Sequence, residues 1–247
     1  MKQLSGWTRG IRINDKQTSS MFAYLWFYEW NLFEATREGQ HTPGRRDFDW
    51  QVSDKHAEMK SDVFDIRVNA DDYYVDLELT IRNRTKHHWP EIASIIPCFN
   101  PGDGKETERN NQLMDTDYTR TWYVSREGLT LLNQREIHFN RQYREQIDRE
   151  ADDEGKFVFS EKWPTDPTNA QIGAVIRESD DGQYVAGIVW DEFLSAQGHN
   201  PWNCMHLSVR AGALSPDESV TRYGRIYLFE GNTSDCLSKC KDFLNQS

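Results

Sequence analysis

The sequence contains no long apolar run, few cysteines and a shortage of positive charge. Its most apolar stretch, Met21 to Tyr28, ends at Glu29 and falls far short of the ~20 residues needed to span a bilayer. Met1 to Trp7 hold one charge and no apolar segment, so no secretory leader is read there and a cytoplasmic protein is expected. Lys and Arg total 29 against 40 Asp and Glu, a net charge of −11. That balance argues against a nucleic-acid binder, which draws affinity from basic side chains on phosphates, and against docking on an anionic membrane. Four cysteines, at 98, 204, 236 and 240, are too few for a disulfide framework in 247 residues and show no C-x-x-C metal spacing. They read as buried free thiols. Linker-like tracts, internal repeats and low-complexity segments are missing too, so residues 1–247 read as one domain, long enough to bury a full core. What the chain has in abundance is aromatic side chains, 13% with nine Trp, and disordered chains are poor in these.

Most of the chain alternates apolar and polar residues with period 2, the pattern of half-buried strands. Tyr74 to Arg82 is the cleanest case, with Val75, Leu77, Leu79 and Ile81 on one side and Asp76, Glu78, Thr80 and Arg82 on the other. Val63 to Val68 is another such run. Gly173–Arg177 and Tyr184–Trp190 flank Asp180-Asp181-Gly182, a hairpin signal. Cys204–Arg210 and Val220–Phe229 read as a late pair joined through Leu214–Glu218, where Pro216 presets a turn. Ser234 to Leu244 reads as a terminal helix with a Thr or Ser cap. Thr18 to Phe33 suits a capped helix and a buried strand equally well. Arg141 to Glu154, strongly charged, reads as a solvated excursion or short exposed helix. Asn83 and Asn232 head glycosylation triplets, which have meaning only in a secretory context. Many short strands and few helices predict an all-β, single-domain antiparallel β-sandwich with a short C-terminal helix.

Residues 76–102 run Asp-Leu-Glu-Leu-Thr-Ile-Arg-Asn-Arg-Thr-Lys-His-His-Trp-Pro-Glu-Ile-Ala-Ser-Ile-Ile-Pro-Cys-Phe-Asn-Pro-Gly. This resembles a stretch of the galactose-mutarotase-like superfamily, where a strand ends in an Asn-x-Ser/Thr turn and a Pro-led strand then ends in a Phe-Asn pair, here Phe99-Asn100. Leu214–Ser219 and Gly224–Gly231 are similar to the closing strands of such sugar-processing sandwiches. The resemblance implies a twisted supersandwich with a carbohydrate site on a concave sheet face, and Asn100 enters the set of saccharide-binding candidates. Aldose epimerases place a substrate-binding His three residues before the Phe of that pair, and Ile96 stands there in this chain. A second family His and a C-terminal Glu base have no counterpart, so the resemblance implies fold and substrate class and not the epimerase reaction.

Candidate chemistry lies in a few polar-aromatic stretches. In Gly198–His206, His199 could serve as a general base or metal ligand, Asn200 as a hydroxyl partner and Trp202 as a stacking platform, with His206 on the strand that follows. The same loop could instead satisfy its own turn groups, with Trp202 in the core. Gly39–Asp47 holds His41, Arg45 and Arg46, a guanidinium pair suited to a sugar carboxylate or to an exposed turn. Trp26 to Asn31 embeds Glu29 in aromatics; on a strand, Glu29 shares a face with Phe27 and Asn31, opposite Trp26, Tyr28 and Trp30. A carboxylate against apolar rings suits proton transfer, and a Glu at a strand edge bonded to an Arg is the plainer alternative. Glu161 and Trp163 end a strand before Pro164, and Glu136, His138 and Asn140 share a strand face that lines a cleft or meets solvent.

These residues predict an enzyme acting on a sugar or oligosaccharide by lyase or isomerase chemistry. His199, His41, Glu29 and His138 are the catalytic candidates. Trp26, Arg45, Asn100, Glu161, Trp163, Asn200, Trp202 and His206 are the substrate-binding ones. The competing reading is a non-catalytic carbohydrate-binding module stacking sugars on Trp26, Trp163 or Trp202. A saccharide is the expected partner and no cofactor is expected, with a divalent metal on His and carboxylate as the lesser alternative.

Overall fold

The computed structural model describes residues 1–7, 10–16, 21–29, 49–101, 113–115, 117–132, 136–148, 166–197 and 203–246, and of Tyr28 and Glu29 the backbone alone. The strands in chain order are β1 (Lys2–Trp7), β2 (Gly10–Asp15), β3 (Phe22–Glu29), β4 (Trp50–Val52), β5 (His56–Lys60), β6 (Phe64–Ala70), β7 (Tyr74–Arg82) and β8 (Ser94–Pro101). They continue as β9 (Thr121–Ser125), β10 (Gly128–Leu131), β11 (Ile137–Phe139), β12 (Ile172–Glu178), β13 (Tyr184–Trp190), β14 (Phe193–Gln197), β15 (Met205–Arg210) and β16 (Ser219–Glu230). Helix α1 (Thr233–Leu244) closes the described chain. All the strand pairs are antiparallel and build two sheets, one of seven strands in the order β1-β2-β3-β8-β15-β14-β11 and one of nine in the order β10-β9-β12-β13-β16-β7-β6-β5-β4. The predicted antiparallel sandwich with a C-terminal helix is the observed fold.

Alternation dictates the packing. On β7, Val75, Leu77, Leu79 and Ile81 are buried, and they join Ile11, Leu25, Ile95, Phe99, Leu207 and Val209 of the other sheet in one inter-sheet core. Gly224 on β16 faces Trp190 on β13, where a Cβ would lie 2.6 Å from the indole, so only glycine admits that ring. The expected hairpin forms at Gly182, in the left-handed region at φ 69°. Helix α1 lays Cys236, Cys240 and Phe243 on Ala174, Ile176, Val185, Val189 and Tyr227, covering the outer face of β12, β13 and the neighbouring part of β16 with apolar contact.

Several readings need correction. Segments 204–210 and 220–229 do not pair, because β15 belongs to the seven-stranded sheet and β16 to the nine-stranded one. The Pro216 turn, with Asp217 at φ 66°, carries the chain between sheets. The cap of α1 is Asn232, whose side chain accepts from the Ser234 and Asp235 amides, one residue earlier than a Thr or Ser cap. Residues 22–29 form a strand, resolving the ambiguity of that region. The charged segment opens with a 3-10 turn, Arg141–Tyr143, and continues as helix over 144–148, the short helix that was one of the two expectations, with Ile147 buried against Ile137 and Phe139. Asn83 is fully buried and donates to the His87 and Leu214 carbonyls, which bars it from glycosylation. All four cysteines are buried and none is in a disulfide, as expected.

Candidate functional site

The outer face of the seven-stranded sheet carries buried polar side chains on its central strands. Strands β8 and β15 are buried along their whole length. Their inward residues are apolar, but their outward ones, apart from the buried Ile96, are Ser94, Cys98, Asn100, His206, Ser208 and Arg210. Burying polar groups is unfavourable unless they are partnered, so a buried polar face is a departure that points to function.

Register sets two rows across this face. Trp26 pairs with Cys98, Cys98 with His206, and His206 with Gln197, one residue from each of β3, β8, β15 and β14. In the adjoining row Arg12 pairs with Tyr24 and Tyr24 with Asn100, beside Cys204 at the entry to β15. Directly paired residues share a face. Relative exposure is 0% for Cys98, Asn100 and His206, 2% for Cys204 and 6% for Trp26. His206 Nε2 and Cys98 Sγ share a hydrogen bond of 3.3 Å, and Asn100 Nδ2 makes a long contact of 3.9 Å with Cys204 Sγ. Gln197 Nε2 donates to Ser208 Oγ at 3.1 Å and to Ser195 Oγ at 3.4 Å, while its Oε1 is buried with no hydrogen-bond partner. The aromatic border is continuous: Trp7 lies 4.6 Å from Tyr24 and 5.2 Å from Trp26, and Phe22 lies 5.8 Å from Tyr24, between ring centroids.

The end of this face is pinned by Arg177 of β12. Its guanidinium is fully buried and donates to Thr121 Oγ1 at 2.8 Å, to the Asn203 carbonyl at 2.8 Å and to the Pro101 carbonyl at 3.3 Å. It thereby ties the end of β8 to the start of β15. Burial pulls its pKa down to about 10, against the opposing attraction of Asp115 and Cys204, so it stays cationic near neutrality. Asn203, at φ 61°, turns the chain into β15 just ahead of Cys204.

Of the residues singled out in the sequence, Trp26, Asn100 and His206 come together on this face. Trp26 points outward and Phe27 enters the inter-sheet core, as strand alternation requires. A register shift between Trp26 and Glu29 places the Glu29 backbone opposite Ile96. His41, Arg45, Glu161, Trp163, His199, Asn200 and Trp202 lie outside the described residues. His138 stands apart: it pairs with core residue Ala196, is buried between the sheets and stacks on Tyr123 at 4.0 Å. Its Nδ1 donates to the Thr168 carbonyl at 2.9 Å, and Glu136 Oε2 stands 3.3 Å from Nε2 without hydrogen-bond geometry. Asn140, also buried, donates to the Phe193 carbonyl at 2.9 Å. A separate cleft of about 490 Å³, lined by Asn140, Gln171, Asp191, Glu192 and Phe193 among others, contains none of the outer-face residues. Cys98, Cys204 and Gln197 were not candidates in the sequence. Period 2 could have placed Cys98 and Asn100 on one face, but not beside His206.

No protein-family model matches the chain, and no curated protein matches it. Solved structures that resemble it include a galactose mutarotase-like protein from Lactobacillus casei ATCC 334, at 9% identity and TM-score 0.42, over 93% of this chain and 100% of that one. A galactose mutarotase related enzyme from Lactobacillus acidophilus matches at 8% identity and TM-score 0.36, over 94% and 99%. The Slr1438 protein of Synechocystis sp. PCC 6803 matches at 9% identity and TM-score 0.43, over 85% and 78%.

Proposed function

We propose that the outer face of the seven-stranded sheet binds a saccharide and supports isomerase-type proton transfer on it. The observation that carries this reading is the row Trp26, Cys98, His206, Gln197, which sets an indole, an imidazole and an amide with an unsatisfied oxygen side by side on rigid strands. A sugar presents an apolar C–H face and a rim of hydroxyls. Trp26, with Trp7 and Tyr24 packed beside it, offers the matching platform. Gln197 Oε1 can accept a hydroxyl proton that none of the described residues supplies, and the Asn100 amide lies one row away. Interconversion at a sugar's anomeric centre needs a proton removed from one oxygen and delivered to another. Imidazole exchanges protons near neutrality, and His206 is the one imidazole on this face among the described residues. Its bond to Cys98 fixes the ring's orientation.

The test uses chelator-treated protein with a panel of neutral and uronic sugars, following tryptophan fluorescence for binding and polarimetry for anomer interconversion. The proposal expects a fluorescence change with at least one sugar and catalysed interconversion of it. In His206→Gln binding persists and the rate falls by about a hundredfold or more. Binding without turnover in the parent protein would leave a carbohydrate-binding module. Silence across the whole panel would remove the carbohydrate reading.

A further inference from the structure

We infer that Cys98, Cys204 and His206 form a binding site for a thiophilic divalent metal ion of the zinc class. Their ligand atoms all lie within 4.8 Å of one another, and all three residues are buried. Among the described residues this is the one such trio of His, Cys, Asp or Glu. A tetrahedral zinc ion, with bonds of about 2.3 Å to sulfur and 2.0 Å to nitrogen, sets neighbouring ligand atoms about 3.5–3.8 Å apart. The Nε2 to Sγ separation of 3.3 Å is already close to that spacing, and side-chain rotation of about an ångström brings the third atom in. The scaffold favours it: Cys98 and His206 are directly paired across β8 and β15, and Cys204 lies two residues from His206 on the same face. Chain separation hides the site from sequence motifs, because its ligands come from two strands distant in sequence.

Charge and softness agree with this assignment. Binding releases one proton from each thiol to solvent, and two thiolates then cancel the charge of a divalent ion, so the buried site carries no net charge. Thiolate and imidazole ligands select zinc-like ions over magnesium or calcium, which prefer oxygen. The Arg177 cation lies near enough to Cys204 for their charges to attract, which favours its thiolate. Three protein ligands leave a fourth position for water or substrate, as in catalytic zinc sites. The other thiol pair, Cys236 and Cys240, has no such setting: it is packed among Ala174, Ile176 and Val185, and burial pushes the Cys236 thiol well above its ordinary range. With an ion bound, His206 is a ligand and no longer a proton carrier, so the metal-free and loaded proteins are two states of one site.

The proposal goes beyond the sugar reading and is tested without sugar. Reduced, chelator-treated full chain is titrated with Co2+ and its absorption spectrum recorded. One Co2+ per chain is expected, with thiolate charge-transfer absorption and the visible bands of tetrahedral cobalt, both reversed by Zn2+. Cys98→Ser, Cys204→Ser and His206→Gln should each weaken binding by more than the roughly 10–100-fold that loss of an outer-sphere partner costs. Cys236→Ser with Cys240→Ser should leave it intact. Peptide-resolved thiol alkylation of the parent protein guards against misfolded variants, and Zn2+ should shield Cys98 and Cys204 but not Cys236. Octahedral cobalt spectra, binding that follows Cys236 and Cys240, or alkylation unaltered by Zn2+ would overturn the assignment.

Discussion

Replacing Gln197 by Leu separates a ligand-binding role from a structural one. The substitution removes two hydrogen bonds, at 3.1 Å to Ser208 and 3.4 Å to Ser195, each contributing about 0.5–1.5 kcal/mol at most. It also removes a buried amide oxygen with no partner, whose desolvation costs about 1–3 kcal/mol. Ser195 and Ser208 keep their mutual hydrogen bond of 3.1 Å, so no new orphan group is created. Leucine retains most of the volume. Loss and relief are of similar size, and the folding free energy should change by less than about 1 kcal/mol in either direction. Urea unfolding at unchanged m-value measures this. Sugar affinity should meanwhile fall about tenfold, the equivalent of one lost hydrogen bond near 1.4 kcal/mol. A stability loss above about 2 kcal/mol with undiminished sugar binding would refute the reasoning and make Gln197 a structural tie.

Other expectations concern the frame around the site. Leu79→Ala empties a fully buried place in the inter-sheet core and should destabilise by about 2–5 kcal/mol in urea unfolding; a change under 1 kcal/mol would contradict the packing. Asn232→Ala removes the cap of α1 and should cost about 1 kcal/mol in the same assay, with the outer-face site unaffected. Burial, helped by Asp166 and Glu136, pushes the Tyr123 phenol up to about 12, and burial does the same to Tyr227 against the pull of Arg225. The folded state then holds protons that the unfolded chain releases near 10, so these two tyrosines should lose stability for the fold as pH rises from about 10 toward 12. Alkaline absorbance titration with parallel unfolding checks it, and all ten tyrosines titrating together would contradict it.

Much of the fold was legible because period 2 is a local property. Val75, Leu77, Leu79 and Ile81 announce which face of β7 is buried, and Asp180-Asp181-Gly182 announces a turn. Neighbourhood was less legible. Segments 204–210 and 220–229 alternate alike and are close in sequence, yet the turn at Pro216 hands the chain from one sheet to the other. Trp26, Asn100 and His206 were each visible as candidates, but nothing local states that β3, β8 and β15 lie side by side. Cys98 and Cys204 looked inert for the same reason, since the residue that gives them chemical meaning, His206, reaches Cys98 only across a strand boundary. His138 shows the converse. Alternation suggests a polar face on β11, while the structure buries that ring against Tyr123 between the sheets.

The central claim is that ligands meet the protein on the outer face of the seven-stranded sheet, and indole NMR tests it most directly. Chelator-treated protein labelled with 15N is titrated with the saccharide that gives the largest fluorescence response, and the indole N–H signals of its nine tryptophans are followed. The account predicts that Trp26 and Trp7 shift in a saturable way while Trp190, sealed in the inter-sheet core, stays fixed. Saturable shifts confined to tryptophans away from this face, with Trp7 and Trp26 unmoved, would contradict it.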